Sequence, residues 1–420
     1  MSKEIIRSIK GTQDILPDKS NRWQALESTI HKTASKYGYK EIRTPAFERT
    51  ELFSRSVGEE TDIVSKEMYS WIDQGGEKLT LKPELTASVA RAYIQHNLGG
   101  LRPVNKLYYI DALFRRERPQ KGRYRQFHQF GVEAFGSEHP EVDAEVIALA
   151  LSIFNSIGLD ELQLKLNSIG SPQCRKDYRD AIREFLKPHF SNLSETSQKR
   201  FNNNPLRILD TKVPQEISIL EDAPNISNYW TDDDKVHFEE LLTYLDYINI
   251  DYKLTPRLVR GLDYYTRTTF EITSSKLGAQ DAICGGGRYD GLVESLGGKP
   301  TPGIGFAAGM ERILLAMNKD SSKNSQVQIY IVGIGQSVQS AIIKLAEDLR
   351  RINIATEFDV IRRSLKAQLR EANKIGAKYA LLIGDQELKS KSVELKNLSS
   401  GDQEKVELNK IIEHMNSLSY

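Results

Sequence analysis

Two runs constrain this chain more than any other part of it: Lys106 to Glu117 and Tyr124 to Phe135. The first carries Leu, Tyr, Ile and Phe, the second Tyr, Phe and Val, and both read as long strands. They are joined by a loop containing Pro119 and Gly122, residues that break a strand and turn it. The loop is strongly basic. Arg115, Arg116, Arg118, Lys121, Arg123 and Arg125 stand against a lone Glu117, a local net charge of +5 in eleven residues.

In a strand, residues i, i+2 and i+4 point to one face. Arg115 and Glu117 therefore share a face of the first strand. On the second, Arg123, Arg125, Phe127, Gln129, Gly131 and Glu133 share one, so an aromatic plate, an amide, a gap and a carboxylate line a single sheet surface. His128 falls on the opposite face and is read as structural. The guanidinium groups suit bidentate phosphate recognition, and Phe127 suits stacking on a purine.

Around this pair the chain reads as follows. Lys19 to Tyr37 is an amphipathic helix, with Trp23, Leu26, Ile30, Ala34 and Tyr37 on one face. Glu41 to Glu48 is a strand interrupted by Pro45, which points to a sheet edge, a bulge or a subunit contact. Met68 to Ile72 and Leu79 to Leu81 flank a hairpin turn. A helix from Glu84 to Asn97 is closed by Gly99-Gly100, another runs from Glu141 to Gly158, and Leu162 to Leu166 is a short strand. Residues 171–254 read as a mostly helical insertion. Strand character returns at Thr268 to Thr273 and Ala282 to Cys284, and a helix begins near Gly309. After a polar linker at 321–327, residues 328–420 alternate strand and helix, ending with a helix over Lys405 to Met415. The fold class is α/β and α+β in several domains.

A chain of 420 residues exceeds one ordinary core, and 39% hydrophobic with 27% charged residues is globular composition. No apolar stretch reaches about eighteen residues, so no membrane span is expected. The N-terminal residues have no apolar core of a secretory signal, and Cys174 and Cys284 fit no zinc or redox spacing. A cytoplasmic location is expected. The formal net charge is only +1, but charge is also concentrated at 361–378. There Arg362, Arg363, Lys366, Arg370, Lys374 and Lys378 face a lone Glu371. Two basic clusters in a neutral chain suggest local polyanion footprints.

Phe114-Arg-Arg-Glu117, the loop after it and Phe127 resemble motif 2 of the class II aminoacyl-tRNA synthetases. Glu41 to Glu48 is similar to motif 1, the dimer-forming element, and Gly303 to Arg312 to motif 3. Leu258-Val-Arg-Gly-Leu-Asp-Tyr-Tyr265 and Gly286-Gly-Arg-Tyr-Asp-Gly291 resemble the two signatures of the histidyl-tRNA synthetases, bacterial type. The resemblance implies a class II antiparallel sheet flanked by helices, in residues 1–170 and 255–320. It further implies that the 328–420 domain binds an anticodon, and that the chain forms a homodimer through the motif 1 region.

The implied activity is histidine–tRNA ligation, with ATP as substrate, Mg²⁺ at its phosphates and tRNA(His) as acceptor. Arg115 then holds the α-phosphate, and Arg260 neutralises charge developing there. Arg123 and Arg312 contact the outer phosphates, Phe127 and Arg312 sandwich adenine, and Glu117 lies at the adenine edge. Glu84, Thr86 and Gln129 take the histidine ammonium side, Glu133 and Tyr265 the imidazole, and Tyr289 the neighbouring wall. Arg118 and Gln120 face the tRNA acceptor end, and Arg363, Lys366 and Arg370 form a tRNA-facing surface. No metal site made of protein ligands alone is implied. Lys82, Leu85 and Arg116 depart from the arginine, glycine and histidine common in bacterial members. A rival reading is the synthetase-like regulatory subunit of ATP phosphoribosyltransferase, which charges no tRNA.

Overall fold

The computed structural model describes residues 5–58, 61–120, 122–277, 281–317 and 327–418. The chain forms two compact units, Met1–Lys319 and Asp320–Tyr420. The expected linker at 321–327 lies, apart from Val327, outside the described residues.

The first unit contains, in chain order, β1 (Lys40–Glu41), β2 (Phe47–Arg49), β3 (Tyr69–Ile72), β4 (Lys78–Leu81), β5 (Asn105–Phe114) and β6 (Gln126–Phe135). Then follow β7 (Leu162–Ser168), β8 (Tyr252–Leu254), β9 (Thr266–Ser274), β10 (Ala282–Arg288) and β11 (Gly303–Gly309). Eight of these build one sheet in the order β1-β5-β6-β11-β10-β9-β7-β8, while β2, β4 and β3 form a small separate sheet. The chain therefore changes sheet between Glu41 and Phe47, at the Pro45 interruption. The central pairs are antiparallel, and β6 lies between β5 and β11 with Glu133 opposite both Leu107 and Gly305.

One face of the sheet is closed by helices. Pro140–Ser156 begins with Pro at its first turn and carries Glu141 and Asp143 there, where acidic groups favour a helix start. Its Val146, Ile147, Leu149, Ala150, Ile153 and Phe154 pack with Phe130, Val132 and Ala134 of β6 and with Leu26 and Ile30 of the helix Pro17–Lys36. Even-numbered residues of β6 thus enter the core, and odd-numbered ones face the other way, as the period of two requires.

Several elements differ from the sequence expectation. β5 and β6 end at Phe114 and begin at Gln126, so Arg115 to Arg125 lie beyond the strands, although Arg115 N–H still donates to Arg125 O at 2.9 Å. The helix expected to Asn97 ends at Gln95, and Asn97 makes the left-handed turn with φ of 48°. Gly99 and Gly100 instead sit inside the short helix Leu98–Leu101. Within 171–254 the helices are present, but the last part belongs to the main sheet layer. Helix Asp232–Tyr247 buries Phe238, Leu241 and Leu245 in the main core, and β8 pairs with β7.

The second unit is a five-stranded sheet of β12 (Ile329–Ile334), β13 (Thr356–Phe358), β14 (Tyr379–Gly384), β15 (Ser392–Asn397) and β16 (Gln403–Glu407). Its order is β13-β12-β14-β15-β16. Ile329 and Ile331 enter one apolar cluster, Tyr330 and Val332 another, so the sheet is covered on both faces. The helix expected over Lys405 to Met415 is a strand and then a helix, Ile411–Ser417. The Gln-Glu-Lys-Val-Glu segment buries only Val406, too little apolar pattern for its sequence to declare a strand.

Candidate active site

Gln129 on the odd-numbered face of β6 lines a cavity of about 450 Å³, and with Phe127 it lines an adjoining one of about 270 Å³. Both are lined by Arg115, Arg123, Gln129 and Arg260. The larger holds Glu84, Thr86, Tyr109, Tyr264, Tyr265 and Tyr289, and the smaller holds Glu117, Phe127 and Arg312. Residues distant in the chain are thus sorted into a tyrosine-walled end and a basic, aromatic end, with three arginines, Arg115, Arg123 and Arg260, shared between them.

Glu133 lines neither cavity: it is buried to 1% exposure beside the tyrosine end, in contact with residues that do line it. Its Oε1 accepts from the Thr86 hydroxyl at 2.7 Å and the Tyr109 hydroxyl at 3.1 Å, and its Oε2 accepts from the Tyr289 hydroxyl. Burial raises its pKa to about 8 despite these donors. Tyr289, expected only as a neighbouring wall, is therefore a direct partner of Glu133. A side chain at Gly305 has no room there, because its Cβ would lie 2.0 Å from Glu133 Oε2. Tyr264 packs against Tyr265 and Tyr289 with ring centroids 4.7 and 5.7 Å apart.

Glu84 lines the same cavity, but it also has a structural task. Its two oxygens accept the backbone N–H groups of Thr86 and Ala87, both at 2.9 Å, and so satisfy the start of helix Thr86–Gln95. Burial raises its pKa to about 7. The neighbouring departures from the bacterial pattern prove to be structural too. Lys82 is buried, with Nζ 2.5 Å from Asp111 Oδ2 and 3.1 Å from Thr44 O. Leu85 packs in the apolar cluster with Val89 and Tyr109. Arg116 is exposed, and its backbone N–H donates to Glu67 O.

At the junction Arg115 Nε donates to Pro83 O at 2.8 Å, and its guanidinium lies 5.3 Å from the Phe127 ring centre. Burial lowers its pKa, opposed by Glu67, Glu117 and Glu84. Arg260 reaches Glu271 at 3.4 Å. It lies flat on β10, for a Cβ at Gly285 would stand 2.1 Å from its Nη2. At the basic end Arg123 is 3.5 Å from Glu117. Burial and then the charge of Arg123 lower the Arg312 pKa, the electrostatic signature of guanidinium groups converging on one space. Such convergence suits a polyanion. Among the described residues no three His, Cys, Asp or Glu side chains gather as a metal cage.

Arg118 and Gln120 stand apart from the cavities, exposed at the tip of the loop, where Gln120 and Arg123 exchange backbone hydrogen bonds at 3.1 and 2.9 Å. His128 points to the core side, as alternation requires. Its Nδ1 and backbone N lie 3.0 Å from Glu311, and its ring meets Trp23 edge-on.

In the second unit Lys366 and Arg370 are exposed, one helical turn apart. Arg363 lies off the expected helix. It precedes the helix Leu365–Lys374, and its guanidinium binds Asp359, Glu371 Oε2 at 3.0 Å and the Tyr330 hydroxyl at 3.3 Å. Two carboxylates pair with it, so its charge is engaged within its own domain.

Sequence reasoning missed Tyr109, Tyr264 and Glu67. Tyr109 was within reach: extending the face of Arg115 backwards in steps of two arrives at it, opposite Gly131. Glu67 carried no such signal, since it enters from the short helix Ile63–Glu67.

Known proteins resemble this chain over nearly its whole length. Residues 11–313 match the family model described as Histidyl-tRNA synthetase, and residues 326–418 match Anticodon binding domain. A Histidine--tRNA ligase of Halothermothrix orenii is 48% identical over 98% of this chain and 99% of its own. One of Caldanaerobacter subterraneus subsp. tengcongensis is 46% identical over 97% and 98%. The crystal structure of apo S. aureus histidyl-tRNA synthetase superposes with a TM-score of 0.83 at 39% identity, covering 98% of this chain and 99% of that one.

Proposed function

The chain belongs to the histidyl-tRNA synthetase family, and from that membership we propose how its residues carry the reaction of a histidine–tRNA ligase. The observation that carries the reading is the placing of Arg115 and Arg260 at the junction of the two cavities. An amino acid in one end and a nucleotide in the other bring their reacting atoms together at those two guanidinium groups.

The histidine enters the tyrosine end. Glu133 and Tyr265 take its ring nitrogens, with Tyr289 and Tyr109 holding the Glu133 carboxyl in place, and Glu84, Thr86 and Gln129 take the α-ammonium side. A different amino acid leaves these buried polar groups unpaired, which selects strongly against it. ATP enters the basic end. Phe127 and Arg312 stack the adenine, Glu117 meets its edge, and Arg123 with Arg312 binds the outer phosphates.

The histidine carboxylate oxygen attacks the α-phosphorus in line, a P–O bond to the departing pyrophosphate breaks, and histidyl-adenylate forms. Arg115 and Arg260 oppose the charge that grows on the α-phosphate oxygens, a stabilisation that needs position more than covalent help. A terminal ribose hydroxyl of tRNA(His) then attacks the histidyl carbonyl and AMP leaves. Mg²⁺ suits this site because it takes few protein ligands beside phosphate oxygens, and it supplies charge neutralisation there. Glu67, which lines the same cavity, would be the carboxylate to hold it beside the phosphates.

The exposed Arg118 and Gln120 read the tRNA acceptor end, and Lys366 with Arg370 faces the anticodon arm, so the 328–420 domain is assigned to anticodon binding. Two copies pair through the motif 1 region. Support comes from the small sheet beside it, where Phe47 and Trp71 stack edge-on and Ile72 is 70% exposed. No described helix is long and apolar enough to cross a membrane. The tRNA substrate and the two buried thiols Cys174 and Cys284 support a cytoplasmic location.

Histidine-dependent exchange of pyrophosphate into ATP tests the whole account. The wild type exchanges and Arg260→Ala loses most of the rate. No exchange by the wild type would favour the regulatory-subunit reading instead.

A further inference from the structure

The segment that carries Arg260 runs from Thr255 to Tyr265 without helix or strand. A side chain added at Gly261 would meet nothing, so the loop is not held by packing at that point. One end is tied by Asn167, whose Nδ2 donates to Pro256 O at 3.1 Å and Leu258 O at 3.0 Å. The other end converges on Asp263. Its Oδ1 accepts from Asn204 Nδ2 and from Arg207 Nη2, both at 3.2 Å, and its carbonyl accepts from Arg175 Nη1 at 3.2 Å. Arg207 Nη2 also reaches Gly261 O at 3.3 Å. The carboxylate abuts Gly58, where φ is +97° and a Cβ would fall 2.4 Å from Asp263 Oδ2.

All three donors belong to the helical region between β7 and β8. That same region sends Arg200, Arg207 and Asp210 into the reaction cavity. We propose that Asp263 is a positioning residue: through Arg207 and Asn204 it fastens the helical region to the loop, and so fixes where Arg260 points. The proposal rests on the reading of Arg260 as the group that stabilises the reacting phosphate.

The physics favours a catalytic over a stabilising role. The Arg207 and Asp263 side chains are 17% and 39% exposed. An ion pair that open to solvent contributes little to global stability. Its bonds nevertheless join the other ties of the loop on that side, Arg175 at the Asp263 carbonyl, the Asp263 N–H on Val57 O at 3.4 Å and the packing of Leu262 and Tyr264, in setting where Arg260 lies, and a misplacement of about 1 Å at a reacting group costs about a hundred-fold in rate.

The test uses the full chain carrying Asp263→Ala, Asp263→Asn, Arg207→Ala, the double change Asp263→Ala/Arg207→Ala, and Arg260→Ala. Each is measured for kcat and KM in histidine-dependent pyrophosphate exchange and for thermal unfolding. Asp263→Ala is expected to lower kcat about ten-fold or more, with the histidine KM within about two-fold and the unfolding midpoint within a few degrees. Asp263→Asn, which keeps an acceptor oxygen, recovers part of that loss. The double variant is no slower than the worse single one. An unchanged kcat in Asp263→Ala beside a large loss in Arg260→Ala overturns the positioning role alone. A kcat loss that only tracks a lowered unfolding midpoint, or fully additive single effects, overturns it as well. Unchanged exchange in Arg260→Ala overturns both this proposal and the reading beneath it.

Discussion

Arg288 and Asp143 meet with both side chains fully buried, Nη2 to Oδ1 at 2.6 Å. The guanidinium is saturated further by Ser137 O, His139 O and Asp290, and Asp143 also accepts from Thr268. This pair sits one residue from Tyr289 and so underpins the donor to Glu133. Removing Asp143 leaves the buried Arg288 charge opposed only by the partly exposed Asp290. Asp143→Ala is expected to destabilise the chain by about 3–5 kcal/mol in denaturant unfolding, whereas a surface pair gives under about 1 kcal/mol. A loss under about 1 kcal/mol would mean that the cluster relaxes around the gap.

Glu133 makes stability depend on pH in the unusual direction. Its folded-state pKa is raised from 4.5 to about 8. Between those values the unfolded chain has lost the proton and the folded chain keeps it. Stability contributed by this group is therefore full below about pH 4.5 and falls as pH rises towards 8, at about 1.4 kcal/mol per unit. Glu133→Gln removes the titration. Its stability relative to wild type should climb steadily between pH 5.5 and 7.5, while its histidine KM rises. A difference that stays flat over that interval would show an ionised carboxylate throughout.

The legible and illegible parts of this site separate along physical lines. Phe127, Gln129 and Glu133 were readable because a strand turns sequence spacing into direction, and Phe130, Val132 and Ala134 fill the core side as that rule demands. Arg115 and Arg123 were placed by the same alternation, yet the strands stop short of them, and turn geometry brings them to the cavity instead. Arg125 shared the expected face but lines neither reaction cavity; its backbone binds Gly11. Direction could not be read where no period exists. Arg363 was counted with the basic helix by charge alone, and only the fold reveals Asp359 and Glu371 around it. β16 was missed for a related reason: one buried valine among polar residues gives no period to read.

The ion pairs of Arg363 with Asp359 and Glu371 set it apart from Lys366 and Arg370 in what its loss should do. Lys366→Ala with Arg370→Ala should weaken tRNA binding and reduce the salt dependence of log Kd by about 1 to 2, as the loss of one or two phosphate contacts requires. Thermal stability should hold. Arg363→Ala should do the reverse, lowering the unfolding temperature because Asp359 loses its partner, with the salt dependence little changed. Filter binding across a salt series together with calorimetry distinguishes the two. Equal salt slopes in wild type and the Lys366/Arg370 double variant would remove this helix from the tRNA surface.

Gly305 offers the sharpest test of how the histidine end is built. It lies on β11 opposite Glu133 of β6, and the Cβ of an alanine would meet Glu133 Oε2 at 2.0 Å and Val132 O at 2.2 Å. The backbone oxygen cannot withdraw without breaking the pairing of β6 with β11, so the carboxyl must swing away. Thr86, Tyr109 and Tyr289 then lose their shared acceptor at once. Gly305→Ala is expected to raise the histidine KM about ten-fold or more and to cost about 1–3 kcal/mol, the range for overpacking. The ATP KM should move far less, because Phe127 and Arg312 line the other cavity. Equal changes in both KM values would mean that the sheet shifts as a whole, and that Glu133 is not held separately from the nucleotide end.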